Sequence, residues 1–279
     1  TAGGTGGHLY GALSLAEELK INGYEVFLFT DKRVETLLRD FDLSRIRIIP
    51  SGTFTNTRLI KWPVISFKIL IGLIYSLFYT LRISPKIVIG FGGYPTIPTI
   101  LAAKLLDIKI IIHEQNKIIG RANKLMLNLC DRLTVGHLKV KGIKKKYNDK
   151  IFYTGNPIRP EIFKYKKDYK THHQDGFLNL LIFGGSQGAS GLNSMVTDLV
   201  PFLLKYGCRV VHLTGSNKYI SCDINNPNLL VKEFCEDISG LLHYTDLAIC
   251  RAGAGTISEL AITKTPAIFV PFPHSSDNH

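Results

Sequence analysis

The stretch Ala2-Gly3-Gly4-Thr5-Gly6-Gly7-His8 decides how this 279-residue sequence folds, because it runs directly into an apolar helical pattern that includes Leu9, Leu13 and Leu19. Glycine lets backbone N–H groups come close to a ligand, and the N-terminus of a helix attracts an anion. A loop of this kind normally follows a buried strand. We therefore expect the first strand to lie ahead of Thr1, outside the sequence.

Strand-like runs alternate with helical patterns along the rest of the chain, as at 97–106 and 119–130. The runs cover residues 24–29, 45–49, 86–90, 109–113, 132–135, 178–183, 209–213, 229–234, 247–250 and 267–270. Such alternation predicts an α/β fold with parallel, doubly wound sheets. The two prolines of Gly155-Asn156-Pro157-Ile158-Arg159-Pro160, and the polar run that follows to Gly176, predict a domain boundary. We place the domains at 1–157 and 158–279, and expect the last helices of the second domain to lie beyond His279.

The net charge of +12 belongs entirely to residues 1–150, whereas residues 151–279 are balanced. This asymmetry predicts an anionic partner for the first domain. Because the sequence shows no nucleic-acid-binding motif, an anionic membrane surface is favoured over nucleic acid. The five cysteines are odd in number and far apart, which indicates neither a zinc site nor a disulfide framework, and a reducing cytoplasm fits this usage.

Two glycine-rich loops follow strands of the second domain, where open α/β sheets bind ligands. The loop 184–190 offers small residues and the hydroxyl of Ser186 to phosphate oxygens, and the loop 251–256 leads into a helix that carries Glu259. Glu259 can accept two hydrogen bonds from a ribose diol; the alternative is a first-turn acid favoured by the helix dipole. Together the loops indicate a nucleotide diphosphate site, although each could be a purely structural turn.

Polar residues at the strand ends of the first domain indicate a second site. His8 stands at the start of the first helix, where an imidazole can accept a proton near neutral pH, unless it is only a polar first-turn residue. His113-Glu114-Gln115-Asn116 ends a strand and is poor core material, although His113 could be a satisfied interior histidine. Arg159, after the boundary, is either a phosphate ligand or a linker charge.

Residues 64–81 form an apolar segment long enough to cross a membrane. Its polar positions, 68, 72, 76 and 80, are four residues apart and so share one stripe. Because the strands before and after it belong to one sheet, a crossing would put them on opposite sides of a membrane. Basic residues flank it at 58, 61, 82 and 86. We expect a helix half buried in its domain and half in a membrane interface; the alternative is a fully covered core helix.

Six motifs, in order along nearly the whole chain, resemble the MurG family of bacterial N-acetylglucosaminyltransferases. They are Gly3-Gly4-Thr5-Gly6-Gly7-His8, Gly92-Gly93-Tyr94, His113-Glu114-Gln115-Asn116, Gly155-Asn156-Pro157-Ile158-Arg159, Gly184-Gly185-Ser186-Gln187-Gly188-Ala189 and Arg251-Ala252-Gly253-Ala254-Gly255-Thr256-Ile257-Ser258-Glu259. The resemblance implies two Rossmann-like domains facing across a cleft, the GT-B fold. It also implies transfer of N-acetylglucosamine from UDP-N-acetylglucosamine to lipid I (undecaprenyl-pyrophosphoryl-MurNAc-peptide), which forms lipid II with inversion in peptidoglycan synthesis.

The resemblance further implies the environment of the protein. No cofactor and no bound metal are expected. The location would be peripheral, on the cytoplasmic face of the bacterial inner membrane, with other cell-wall synthesis proteins as further candidate partners.

Roles carried over by motif divide the candidate residues into two groups. The catalytic candidates are His8, favoured as the general base, His113 and Glu114. The substrate-binding candidates are Thr5, Gly6 and Gly7 on the donor, Tyr94, Asn116 on the donor sugar, Arg159, Ser186 and Gln187 on phosphate or uridine, Cys235 on uracil through its backbone, and Arg251, Ala254, Gly255, Thr256, Ile257, Ser258 and Glu259 around the nucleotide.

Three other functions compete with this interpretation. One is a Rossmann oxidoreductase with Asp31 on a ribose, although Gly4-x-Gly6-x-x-Leu9 lacks the third glycine of the dinucleotide fingerprint. Another is a different GT-B enzyme acting on a membrane lipid, such as a diacylglycerol glycosyltransferase. The third is an inactive fragment or non-catalytic membrane-bound subunit.

Overall fold

The computed structural model describes residues 1–3, 6–33, 41–52, 62–165, 176–185, 188–215, 224–235 and 237–271. The chain divides into two compact units, Thr1–Pro157 and Ile158–His279. Each unit has its own sheet and its own buried apolar clusters.

The first unit alternates strands and helices. Its elements are α1 (Gly6–Ile21), β1 (Leu28–Thr30), β2 (Ile46–Ile48), α2 (Trp62–Ile83), β3 (Ile87–Gly90), α3 (Thr96–Leu105), β4 (Lys109–Glu114), α4 (Arg121–Met126), β5 (Arg132–Val135) and β6 (Ile151–Tyr153). Strands β3, β4, β5 and β6 form one sheet in that order, and β1 pairs with β2. All of these pairs are parallel.

The extended segment Thr1–Ala2 connects the two sets of strands. The backbone N–H of Ala2 donates to the carbonyl oxygen of Phe29 over 3.1 Å. The backbone N–H of Phe91 donates to the carbonyl oxygen of Thr1 over 2.9 Å. The terminal nitrogen of Thr1 donates to the carbonyl of Ile89 over 2.6 Å. Strands β1 and β2 therefore lie on one side of Thr1–Ala2, and strands β3 to β6 lie on the other. The loops around Gly3 and Gly92 are thereby neighbours at a topological switch point.

The second unit repeats this arrangement. Its elements are β7 (Leu178–Phe183), α5 (Ser190–Lys205), β8 (Cys208–Leu213), β9 (Leu229–Lys232), α6 (Ile238–Tyr244), β10 (Leu247–Cys250), α7 (Ala254–Thr263) and β11 (Ala267–Phe269). The strand order is β11-β10-β7-β8-β9, and all pairs are parallel. The chain order reverses between β7 and β10, so the ends of these two strands form the switch point of this sheet.

Helix α2 packs on its unit through its small residues. Gly72, Ser76 and Thr80 are buried, and the Ser76 hydroxyl oxygen lies 3.4 Å from that of Thr99 in α3. A Cβ at Gly72 would lie only 2.0 Å from the carbonyl oxygen of Pro50. The small side chains thus allow close packing, and the large apolar side chains point away from the unit. The stripe predicted from the four-residue spacing is confirmed at these three positions, whereas Lys68 is exposed.

Ten of the eleven strands in the described residues correspond to the runs predicted from the sequence, in the same order, but several are shorter, and β6 was not among the predicted runs. Residues 24–27 were expected to begin β1, yet the strand begins at Leu28, where pairing with Ile46 begins. The helix expected over residues 119–130 is reduced to α4, since the N–H groups of Leu129 and Cys130 both turn back to the Met126 carbonyl. Hydrophobic pattern predicts the elements, and the hydrogen-bond partners set their ends.

Candidate functional site

The two glycine loops of the second unit lie side by side. Phe183 and Cys250, the last residues of β7 and β10, are paired in register. The loop after β7 leads to α5 and the loop after β10 leads to α7, so both helices begin near the switch point. A Cβ at Gly191, in the first turn of α5, would lie 3.9 Å from Nη2 of Arg251 in the other loop. Two helix N-termini at one sheet edge provide N–H donors suited to a diphosphate.

Close backbone packing explains the glycines of the loop after β7. A Cβ at Gly184 would lie 2.4 Å from the backbone nitrogen of Ala189. Gly188 has a φ of +66°, and a Cβ there would lie 2.0 Å from the carbonyl oxygen of Thr214. Side chains at these positions are therefore excluded by the fold itself. Ser186 and Gln187, the polar candidates of this loop, lie outside the described residues.

Glu259 and Arg159 form an ion pair within the second unit. Nε of Arg159 donates to Oε1 of Glu259 over 2.9 Å, and both side chains are largely buried. Arg159 was expected to be either a phosphate ligand or a linker charge. The structure gives it a further role, which is to hold the carboxylate of Glu259. The pair holds one carboxylate oxygen of Glu259, which lies in the second turn of α7 and not in the first. The carboxylate retains further acceptor sites for a diol.

Arg251 fixes the chain after β11. Its Nη1 donates to the carbonyl oxygens of Val270 and Pro271 over 3.0 and 2.6 Å. Ser258 likewise donates to a carbonyl within its own helix, that of Ala254, over 2.9 Å. These two substrate-binding candidates therefore support the loop. Ala254, Gly255, Thr256 and Ile257 form the partly exposed first turn of α7, and Cys235 is partly exposed after β9.

In the first unit, two predicted segments, 3–8 and 92–94, meet at the switch point. A Cβ at Gly93 would lie 2.4 Å from the carbonyl oxygen of Gly3, so these loops touch through their backbones. A Cβ at Gly92 would lie 3.0 Å from Cδ2 and 3.2 Å from Nε2 of His8. His8 and Tyr94 are both partly exposed, and His8 belongs to the first turn of α1. Gly6 and Gly7 precede it in that turn, and Thr5 lies outside the described residues.

His113 is held inside the unit by two hydrogen bonds. Its Nδ1 lies 3.0 Å from the hydroxyl oxygen of Thr134, and its Nε2 lies 3.3 Å from Oδ1 of Asn156. Burial lowers the pKa of the His113 imidazole to about 4, and the hydrogen bond with Asn156 opposes this shift. Both ring nitrogens are engaged, which matches the satisfied interior histidine that was weighed as the alternative.

Glu114 is a structural acceptor for the loop that follows it. Its carboxylate accepts hydrogen bonds from the N–H groups of Asn116 and Gly120 over 2.9 and 2.8 Å, and from Nδ2 of Asn123 over 2.8 Å. The side chain is only 1% exposed. These three hydrogen bonds fix the carboxylate and hold the loop of Asn116 in place. Of the three catalytic candidates, only His8 is partly exposed at the switch point.

Two asparagines were missed as candidates. Asn156 donates from Nδ2 to the Gln115 carbonyl over 3.3 Å and so links the segment after β6 to the end of β4. Asn123 is 2% exposed among the apolar residues of α4. A polar residue on the buried face of a predicted helix was the signal that could have found Asn123.

Asp31, the ribose ligand of the oxidoreductase alternative, is paired with Arg33. The backbone N–H, Nε and Nη2 of Arg33 donate to the Asp31 carboxylate over 2.8, 3.1 and 2.6 Å. A groove of about 660 Å³ lies between β1 and β3, lined by apolar residues of α1, β1 and β3. None of the described site candidates lines it, so the groove is separate from the candidate site.

The outer face of α2 is an exposed apolar surface. Phe67, Leu70, Ile74, Phe78 and Leu81 are each more than half exposed. Lys68, Arg82 and Lys86 are exposed on or beside this helix, whereas Arg58 and Lys61 lie outside the described residues. By length and composition α2 could cross a membrane, with 22% of its most apolar window buried in the unit. The helix is therefore partly buried in its unit, although less than half, and it is not a fully covered core helix.

Comparison with known families places both units in one group of enzymes. Residues 1–135 match the glycosyltransferase family 28 N-terminal domain, and residues 179–279 match the glycosyltransferase family 28 C-terminal domain.

Curated relatives match over the whole chain. The chain is 42% identical to the UDP-N-acetylglucosamine--N-acetylmuramyl-(pentapeptide) pyrophosphoryl-undecaprenol N-acetylglucosamine transferase of Prochlorococcus marinus (strain MIT 9211), with 100% of this chain and 77% of the relative covered. It is 36% identical to the protein of the same name from Rhizobium meliloti (strain 1021), covering 99% and 76%.

Solved structures agree on the fold. The chain is similar to MurG of Acinetobacter baumannii, with a TM-score of 0.72, 29% identity and coverage of 100% and 79%. CalG4, the calicheamicin glycosyltransferase, matches with a TM-score of 0.65 at 12% identity, covering 99% and 79%, and this likeness concerns the fold alone. The predicted fold class, α/β with a parallel sheet in each of two domains of GT-B type, is confirmed.

Proposed function

Since this chain belongs to glycosyltransferase family 28, we infer that it transfers N-acetylglucosamine from UDP-N-acetylglucosamine to lipid I, forming lipid II in peptidoglycan synthesis. The observation that carries this assignment is the identity of 36–42% to transferases of that name along the full chain. The protein is thus a UDP-N-acetylglucosamine-dependent hexosyltransferase of cell-wall biogenesis.

We propose that the second unit binds the nucleotide of the donor. The paired ends of β7 and β10 support this, because both lead into helices whose first N–H groups can hold the diphosphate. Glu259, held by Arg159, would accept hydrogen bonds from the ribose diol through its remaining lone pairs. Helix N-termini would stabilise the charge that develops on the UDP leaving group, and the proposal requires no cofactor and no metal.

We propose that His8 is the general base. In an inverting transfer, the oxygen of the acceptor hydroxyl forms a bond to the anomeric carbon while the bond from that carbon to the UDP oxygen breaks. The hydroxyl proton must leave as the bond forms, and a neutral imidazole can accept it. The partly exposed position of His8 in the first turn of α1 supports this role.

We propose that the outer face of α2 binds the cytoplasmic face of the bacterial inner membrane. Exposed Phe67, Ile74 and Phe78 support this, because a water-soluble surface rarely carries a long row of large apolar side chains. The nearby cations Lys68 and Arg82 suit anionic lipid headgroups. Peripheral binding there would place the first unit next to an acceptor that is anchored in the membrane by its undecaprenyl chain. Other cell-wall synthesis proteins are further candidate partners.

Thermal unfolding with three ligands tests the donor assignment. UDP-N-acetylglucosamine at 100 times its dissociation constant should stabilise the protein by about 2.7 kcal/mol. UDP-glucose should stabilise it less, and NAD should not. Stabilisation by NAD and not by the UDP-sugar would overturn the assignment.

A further inference from the structure

In the side-chain amide of Asn123 in α4, the nitrogen donates two hydrogen bonds and the oxygen accepts none from the described residues. Its Nδ2 donates to the carbonyl oxygen of His113 over 3.0 Å and to Oε2 of Glu114 over 2.8 Å. Both partners are acceptors, so the orientation of the amide is fixed by its hydrogen bonds. Its Oδ1 is buried and accepts no hydrogen bond from the described residues. A buried carbonyl oxygen without a donor is unusual enough to require a reason.

The unengaged oxygen faces the space beside Gly92. Gly92 has a φ of +94° and no side chain, and a Cβ there would lie 3.2 Å from Oδ1 of Asn123. The same point is 3.2 Å from Nε2 of His8. The amide oxygen and the Cδ2–Nε2 edge of the imidazole therefore border one small space, which the absence of a side chain at residue 92 keeps open.

An imidazole acts as a base through one nitrogen while the other carries its hydrogen. A hydrogen-bond acceptor on that second nitrogen decides which tautomer is present and holds the ring in place. The same acceptor stabilises the imidazolium after the proton has been taken. An amide oxygen is suited to this task because it accepts and cannot itself take the proton near neutral pH.

We propose that Asn123 is the positioning residue of His8. Its Oδ1 accepts a hydrogen bond from Nε2–H of His8, either after a small rotation of the ring or through one water molecule. Nδ1 of His8 then holds the lone pair that takes the proton from the acceptor hydroxyl. This inference rests on the proposed role of His8 as the general base.

Glu114 acts in this arrangement by holding the side chain of Asn123. The N–H groups of Asn116 and Gly120 hold its carboxylate, and the carboxylate holds Nδ2 of Asn123. The orientation of Oδ1 toward Gly92 is thereby set by the loop that follows β4. Glu114 contributes to the reaction by orienting Asn123 and takes no proton itself.

Nitrogen NMR of the protein labelled with ¹⁵N-histidine tests the contact without any substrate. The His8 signals are assigned from their loss in His8→Gln. We expect the Nε2–H tautomer of His8 in the wild type and loss of that preference in Asn123→Ala. We also expect kcat for lipid I to fall at least about tenfold in Asn123→Ala, with KM for UDP-N-acetylglucosamine unchanged.

Asn123→Ala also removes two buried hydrogen bonds, so the test needs a second variant that leaves these bonds intact. Gly92→Ala places a methyl group between His8 and Asn123 and should also remove the tautomer preference. Gly23→Ala is its matched control, since Gly23 has a φ of +80° and no atom within 4 Å of a Cβ. It should leave the His8 signals unchanged.

Unchanged His8 signals in both folded Asn123→Ala and Gly92→Ala would overturn the proposal. A changed tautomer with wild-type kcat would also overturn it. Transfer of N-acetylglucosamine by the wild type is measured separately, so failure of this inference is distinguishable from failure of the proposed function.

Discussion

Nε of Arg159 lies 2.9 Å from Oε1 of Glu259, which joins the segment after the domain boundary to the middle of α7. The two residues are 100 positions apart in the sequence, and each had been assigned separately to the nucleotide site. Their contact makes them one unit of the proposed nucleotide site, because the guanidinium fixes the carboxylate that the ribose diol would bind.

Arg159→Ala should raise the dissociation constant of UDP-N-acetylglucosamine about tenfold, or about 1.4 kcal/mol. The reason is that Glu259 loses its orientation and keeps a buried charge without its cation. Titration calorimetry measures the effect. Lys164→Ala is the matched control, since Lys164 pairs with Glu161 over 3.7 Å on the exposed surface, and it should bind the donor as the wild type does. Equal affinities for Arg159→Ala and Lys164→Ala would refute the role of the pair.

His8→Ala should lower kcat by about 10²–10⁴-fold, the usual contribution of general-base catalysis, and leave donor binding almost unchanged. Steady-state kinetics with lipid I and UDP-N-acetylglucosamine separate the two effects. A large rise in the dissociation constant of the donor with little change in kcat would instead make His8 a donor ligand. Normal kcat in His8→Ala, combined with loss of activity in His113→Ala, would show that His8 is not the general base.

Replacing Phe67, Ile74 and Phe78 together by Ser should weaken binding to anionic vesicles about 100-fold, at about 1 kcal/mol for each exposed side chain. Vesicle flotation measures the binding, which should also weaken as salt is added. Thermal unfolding should be almost unchanged, since these side chains are exposed. Wild-type binding in this triple variant would place the membrane contact elsewhere.

Gly72→Ala provides the contrast from the inner face of the same helix. Its Cβ would lie 2.0 Å from the carbonyl oxygen of Pro50, so it should destabilise the fold. The same pair of measurements therefore separates the two faces of α2.

Lowering the pH from 6.5 to 4 should destabilise the protein, in part through His113. Burial lowers the pKa of His113 from 6.5 to about 4 in the folded state. In this window the unfolded state binds more protons, so stability is fully present above pH 6.5 and falls with pH toward the folded value. The group contributes up to about 3 kcal/mol.

Denaturant unfolding of His113→Gln across this pH range checks the contribution. The variant should show a shallower dependence on pH than the wild type. Parallel curves for the wild type and His113→Gln would show that His113 does not cause the effect.

The sequence predicted most of the fold because glycine loops, strand patterns and the proline-rich boundary are local signals. It did not predict partnerships between distant residues. Whether Glu114 was a base or a structural acceptor depended on Gly120 and Asn123, which only the folded loop brings to it. In the same way, the four-residue spacing in α2 identified a stripe, but the position of Pro50 decided that this stripe faces inward.

Transfer of labelled sugar tests the central claim most directly. The purified protein is incubated with UDP-[¹⁴C]N-acetylglucosamine and lipid I in anionic vesicles, and the lipid products and released UDP are separated. The predicted result is one UDP released for each label incorporated into lipid II, with UDP-glucose a much poorer donor. Release of UDP without label in the lipid, or equal use of UDP-glucose, would contradict the claim.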